Sequence, residues 1–223
     1  MSAEVEPEAG GAAPAVDTQH PWLGLASYTL RKFDLAKTIE LTKRVGLKHI
    51  ALKDMHLAMN STPEQIRAAA AQVKAAGIDL YGAGVVYMRN EAQVNQAFDY
   101  AKAAGMEMII GVPNHDLLTR VEERAVALDI KLAIHNHGPT DKLYPSPESA
   151  FEKVKGLDRR LGVCMDVGHT QRCGIDPAAA AERCFERLHD VHIKDVTAAT
   201  ADGATLEAGR GVVDIPKLLR TLL

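Results

Sequence analysis

Seven short apolar runs, each followed by an amphipathic stretch, recur along this chain at roughly 25–30-residue intervals, the length of a strand–helix–strand unit. The predicted strands run from 23 to 30, 49 to 53, 80 to 87, 106 to 112, 131 to 137, 161 to 167 and 188 to 194. Helix signals fall between them. Asp34 is a predicted N-cap for a helix that stops at Gly46, and Thr62-Pro63-Glu64-Gln65 combines a cap, a proline at the first helical position and an acid in the first turn. Further helices are predicted over 91–104, 116–128 and 147–154, from Asp176-Pro177 to about 187, and from Asp214-Ile215-Pro216 to the C-terminus.

Strands that are apolar along their whole length are buried on both faces, which implies parallel strands with crossover helices. An open doubly wound sheet and a closed eight-stranded barrel both satisfy this pattern. The first strand–helix turn, Ser27-Tyr28-Thr29-Leu30-Arg31, carries no glycine phosphate fingerprint. Polar residues sit at the C-terminal end of strand after strand, as a ring of site residues on a barrel requires. The expected fold is therefore a (β/α)8 barrel with about seven strand–helix units present and the eighth missing. The expected organisation is a disordered Ala-, Gly-, Pro- and Glu-rich tail over 1–20 and a C-terminally incomplete barrel domain over 21–223.

Composition narrows the function classes. A net charge of -3 and 4% aromatics offer neither a phosphate-tracking surface nor base-stacking platforms, so nucleic acid is not an expected partner. No apolar run approaches the ~18–20 residues of a membrane span, and membrane binding is not expected. The N-terminal segment has no apolar signal region, so the expected compartment is the cytoplasm, or the periplasm where a leader has been removed. Cys164, Cys173 and Cys184 have no zinc-type spacing, and Cys164, inside an apolar strand, reads as a small core residue.

Three strand ends carry the chemistry: Ile134-His135-Asn136-His137-Gly138, Met165-Asp166-Val167-Gly168-His169 and Val191-His192-Ile193-Lys194-Asp195. Isolated ionisable groups are costly at the ends of buried strands, and a shared divalent cation is the simplest thing that would gather them. His135 and His137, two apart on a predicted strand, share its inward face, while Asn136 points away. The helix after Asp166 is predicted to begin only at Asp176, so capping does not account for that carboxylate. His192 and Lys194 share a face and suit a metal ligand and a cation for a substrate oxyanion. His189, at the start of its strand, is expected outside the site.

These stretches resemble the xylose-isomerase-like barrel superfamily, the sugar phosphate isomerase/epimerase family, over about 22–215. Met165-Asp166-Val167-Gly168-His169 and Asp190-Val191-His192-Ile193-Lys194-Asp195 carry the resemblance most specifically, and the segment from Gly209 to Asp214 resembles the glycine-containing loop before that family's last helix. The resemblance implies a divalent metal on Asp166 and His192, with His135 where the family places a glutamate and the strand-eight glutamate missing. It also implies that His169 contacts substrate oxygens. The metal set is thus His135, Asp166 and His192, for Zn, Mn, Co, Fe or Mg. Catalytic candidates are His137, His169 and Lys194, and substrate contacts are Tyr28, Arg31, Lys53, His56, Tyr87 and Arg210.

The implied reaction is a metal-dependent isomerisation or epimerisation of a sugar or sugar derivative through an enediolate. Two alternatives stay open: a lyase or hydrolase on a keto-sugar or glycoside using the same site, and a degenerate, non-catalytic sugar-binding barrel. The expected partner is a small-molecule carbohydrate, and self-association into a homo-oligomer is left open.

Overall fold

The computed structural model describes residues 22–223; the expected tail over 1–20 lies outside them. The elements in chain order are β1 (Gly24–Ala26), α1 (Leu35–Arg44), β2 (His49–Leu52), α2 (Pro63–Ala75), β3 (Asp79–Met88), α3 (Glu91–Ala104), β4 (Met108–Pro113), α4 (Leu118–Leu128), β5 (Lys131–His135), α5 (Pro147–Val154), β6 (Leu161–Asp166), α6 (Val167–Arg172), α7 (Pro177–Cys184), β7 (Leu188–His192), the two-residue strands β8 (Asp195–Val196) and β9 (Thr205–Leu206), and α8 (Ile215–Leu222). β1 to β7 form one sheet in sequence order, and every neighbouring pair is parallel.

The sheet is curled. The Tyr81 hydroxyl on β3 donates to Asp190 Oδ2 on β7 at 3.4 Å. In a flat sheet with strands ~4.8 Å apart these two would lie about 19 Å from each other, so their contact requires a barrel wall. Ala51, Ile110, Ala133 and Cys164 pack inside the curl, with Tyr81, Val85 and Met108 against them. The larger core, including Phe98, Leu132, Ile134 and Leu161, lies between the sheet and its helices. This is the barrel fold the strand–helix rhythm implies, with seven parallel strands among the described residues.

The helix signals act as local chemistry predicts. Asp34 accepts the Lys37 N–H, and Thr62 and Gln65 form a reciprocal capping box with Pro63 at the first position. Asn90 caps α3, which ends at Gly105 with φ of 69°, a left-handed turn open to glycine at little cost.

Several boundaries differ from expectation. The first strand stops at Ala26, because Ser27 turns its hydroxyl to the Lys53 N–H and the His56 ring, and residues 27–30 wind into a 3-10 turn. The helix expected from 116 begins as a 3-10 turn over His115–Leu117. β5 ends at His135, since the N–H groups of His137 and Gly138 donate to the carbonyls of Tyr144 and Pro145 instead of continuing the ladder. β7 likewise ends at His192, two residues before Lys194. The short helix α6 was not anticipated: Asp166 is its N-cap, accepting the His169 N–H at 2.9 Å, so capping does account for part of this carboxylate's work.

Candidate metal and catalytic site

The register of β6 against β7 builds the site. Val163 pairs with Leu188, but Cys164 pairs with Asp190, so His189 is an extra residue in β7. This bulge shifts the alternation by one and brings Asp190 and His192 level with Cys164 and Asp166. His189 leaves the site and turns its Nε2 to the Arg159 carbonyl.

His135, Asp166 and His192 meet at the end of the curl. His135 Nε2 lies 3.1 Å from His192 Nδ1 and 3.4 Å from Asp166 Oδ2. His135 and Asp166 are each 4% exposed. Lys194 Nζ approaches the same Asp166 oxygen at 3.1 Å. Asn136, fully buried and facing away from the histidines, accepts the Asp166 N–H and donates to Thr170, which fixes the backbone beneath the carboxylate.

His137 and His169 flank this group. The His137 ring is centred 4.5 Å from that of His135 and 5.8 Å from that of His169, although His137 stands beyond the strand end. Its Nε2 hydrogen-bonds the Tyr87 hydroxyl at 2.9 Å. Gly138 lets the chain pass His169: its φ is 92°, and a Cβ there would lie 3.2 Å from His169 Nδ1.

Burial dominates the ionisation of the rings. It pushes His135 down to about 4, with Asp166 opposing, and His169 down to about 4, again against Asp166. His137 is also lowered by burial. Burial works against the Asp166 charge as well, but the His135 ring and then the Lys194 ammonium outweigh it and hold the carboxyl well below the ordinary range. Asp166 thus stays anionic beside the neutral rings of His135, His137 and His169.

Of the other expected site residues, Lys53 donates from Nζ to the Val85 carbonyl and lines, with Tyr87, Gln93, Gln96 and Tyr100, a cavity of ≈ 240 Å³. Tyr28 and Arg31 are exposed beside the first strand, with the guanidinium 4.8 Å from the Tyr28 ring centre. His56 is buried, and its ring is engaged by Ser27, Thr38 and the Leu30 carbonyl. Arg210 is exposed between Gly209 and Gly211, whose N–H groups both donate to Asp195.

Cys164 is a core residue, as read from sequence, and its thiol also stands beside the histidines. A ligand atom from each of His135, Cys164 and His192 lies within 4.8 Å of the others. Asp190 and Tyr81 also border the group. The signal for all three is positional: each falls on an inward-facing strand position, but only a known register reveals it.

A divalent cation fits these residues. His135 Nε2, His192 Nδ1 and Asp166 Oδ2 turn toward one another, so two ring nitrogens and a carboxylate oxygen converge on one point. The 3.1 and 3.4 Å spacings match the edge of a tetrahedron with bonds of ~2.0–2.1 Å, about 3.3 Å. Imidazole, carboxylate and thiol together suit borderline cations such as zinc better than magnesium.

The comparisons with known proteins agree with this architecture. Residues 30–223 match the family described as xylose isomerase-like TIM barrel. Among solved structures, an IOLI protein with a bound zinc atom superposes with a TM-score of 0.74 at 18% identity, covering 89% of this chain and 83% of that one. A D-tagatose 3-epimerase-like protein gives 0.72 at 20%, covering 89% and 85%. The probable 3-DHS dehydratase AsbF of Bacillus anthracis, involved in petrobactin synthesis, gives 0.69 at 13%, covering 89% and 88%. No curated protein matches the chain. At these identities the superpositions speak for the fold, and with the family match over nearly all of the described residues they lead to one assignment: the chain belongs to the xylose isomerase-like TIM barrel family.

Proposed function

We propose that this protein is a metal-dependent isomerase or epimerase of a sugar or sugar derivative, with His135, Asp166 and His192 holding the cation. The observation that carries the reading is the convergence of His135 Nε2, His192 Nδ1 and Asp166 Oδ2, with spacings of 3.1 and 3.4 Å from the His135 nitrogen. A bound divalent cation supplies Lewis-acid polarisation of a substrate carbonyl or its neighbouring hydroxyl. His137 and His169, kept neutral by burial, are the bases available at neutral pH to take the proton from the carbon beside that carbonyl and return it. Lys194 is the ammonium nearest a developing oxyanion. Lys53 and Tyr87 border the cavity beside the cluster, Tyr28, Arg31 and Arg210 extend from the rim, and His56 serves by holding the turn that carries Tyr28.

The zinc-bearing and epimerase-like neighbours support this reading. The dehydratase neighbour favours a second, in which the same proton abstraction expels a leaving group. Deuterium exchange separates the readings. A panel of ketoses and keto-sugar derivatives is incubated in D2O with zinc- or manganese-loaded protein and followed by NMR. Label at the carbon beside the carbonyl with rearranged sugar is the expected result, and label with elimination supports the lyase. Sugar binding without any exchange would mean a binding barrel and would overturn the enzymatic reading.

A further inference from the structure

The two nitrogens of the His192 ring face different neighbours. Nδ1 points into the cluster, 3.1 Å from His135 Nε2. Nε2 is buried, has no hydrogen-bond partner, and lies 3.8 Å from Asp190 Oδ2. A neutral imidazole carries one proton, so the neighbourhood decides which nitrogen stays bare.

Asp190 is itself held in place. Its Oδ1 accepts the Val191 N–H at 2.8 Å, and its Oδ2 accepts the Tyr81 hydroxyl from the far wall of the barrel at 3.4 Å. The Cys164 thiol stands 3.9 Å from the same oxygen. Burial, and then the Asp190 charge, push the Tyr81 phenol far above its ordinary range, so it remains a donor. Among the described residues the only basic group within ion-pair distance of Asp190 is His192. The 3.8 Å separation is longer than a hydrogen bond, and Asp190 Oδ2 is the acceptor the structure places nearest that nitrogen's side of the ring.

We propose that Asp190, anchored by Tyr81, is a positioning residue that keeps the proton of His192 on Nε2 and leaves Nδ1 bare toward His135 and Asp166. This rests on the metal-site reading for its purpose, but not for its test. A carboxylate behind a ligating histidine fixes ring orientation and raises ligand basicity, and its loss costs roughly 10–100-fold in metal affinity. The histidine–carboxylate unit here lies on alternate residues of one strand, both turned inward by the bulge at His189.

The experiment uses the full chain labelled with 15N-histidine. In the metal-free protein the His192 resonances should show the Nε2–H tautomer, and zinc should then perturb Nδ1. Zinc affinity, measured against a competing chelator, should fall roughly 10–100-fold in Asp190→Ala and by a smaller factor in Tyr81→Phe. An Nδ1–H tautomer in the wild type, or undiminished affinity in folded Asp190→Ala, overturns the proposal. Should Asp190→Ala fail to fold, Tyr81→Phe and the wild-type tautomer decide the matter. A wild-type chain that binds no zinc removes the metal reading alone, and the tautomer still tests the role of Asp190.

Discussion

His135 and His192 confront each other nitrogen to nitrogen, Nε2 to Nδ1 at 3.1 Å. Two imidazoles at this distance can share a proton or a cation, but they cannot both be imidazolium. Zinc binding should therefore depend on both rings: His135→Ala and His192→Ala should each lose it by at least ~100-fold in a chelator competition. Stoichiometric zinc retained in either variant would place the cation elsewhere.

Asp166 has two tasks on two oxygens, since Oδ1 caps α6 and Oδ2 faces His135 and Lys194. Asparagine also caps helices, whereas alanine forfeits about 1 kcal/mol. Asp166→Asn should thus lose metal binding with little change in the cap's contribution to stability, while Asp166→Ala loses both. Zinc titration and urea melts on the pair separate the tasks. Equal destabilisation by both variants would show that the cap contributes nothing.

Lys194 presses its ammonium on the oxygen a cation would use. Removing that competitor in Lys194→Met should tighten zinc binding several-fold while lowering turnover. Weaker binding in Lys194→Met would mean that the ammonium helps to hold the site open.

Acid should destabilise the metal-free chain earlier than its carboxylates would. His135 and His169 are held at about 4 in the fold against an ordinary 6.5. Between these values the unfolded chain binds protons that the folded chain refuses, so stability is full above about pH 6.5 and falls as pH drops toward 4. Urea unfolding at pH 7, 5.5 and 4.5 should show this slope, and His169→Asn should lessen it. A flat profile would mean that the rings are not buried neutral.

Asp195 is buried and accepts the N–H groups of Val196, Gly209, Gly211 and Val213, binding the Gly209–Val213 loop to the end of β7. Asp195→Ala leaves these donors without their acceptor and should cost on the order of 3 kcal/mol in urea unfolding. A loss below about 0.5 kcal/mol would show that water replaces the carboxylate freely.

Much of the fold is written in local chemistry. The α3 limits and the α5 limits are legible from Asn90, Gly105, Ser146 and Pro147, because caps and breakers act over a few residues. The convergence of His135, Asp166 and His192 is legible from their places at the ends of apolar runs. What local pattern hides is non-local. The first strand is shortened by hydrogen bonds from Lys53 and His56, residues one unit away. α6 is only six residues long and lacks a hydrophobic period to announce it. Cys164, Tyr81 and Asp190 acquire their roles from the curl and register of the sheet, which no single strand encodes.

The extra residue at His189 has a consequence for how this chain tolerates change. Length at that point acts as a phase setting. Were the bulge drawn out into regular pairing, His189 would stand opposite Cys164 and Asp190 opposite Met165, which would carry Asp190 and His192 round to the helix-covered side and put Val191 into the lumen, with every amino acid of the site still present in the sequence. Loss of His189 itself would leave Leu188 opposite Val163 and Asp190 opposite Cys164, so the phase of the site depends on the bulge persisting for as long as that extra residue is present.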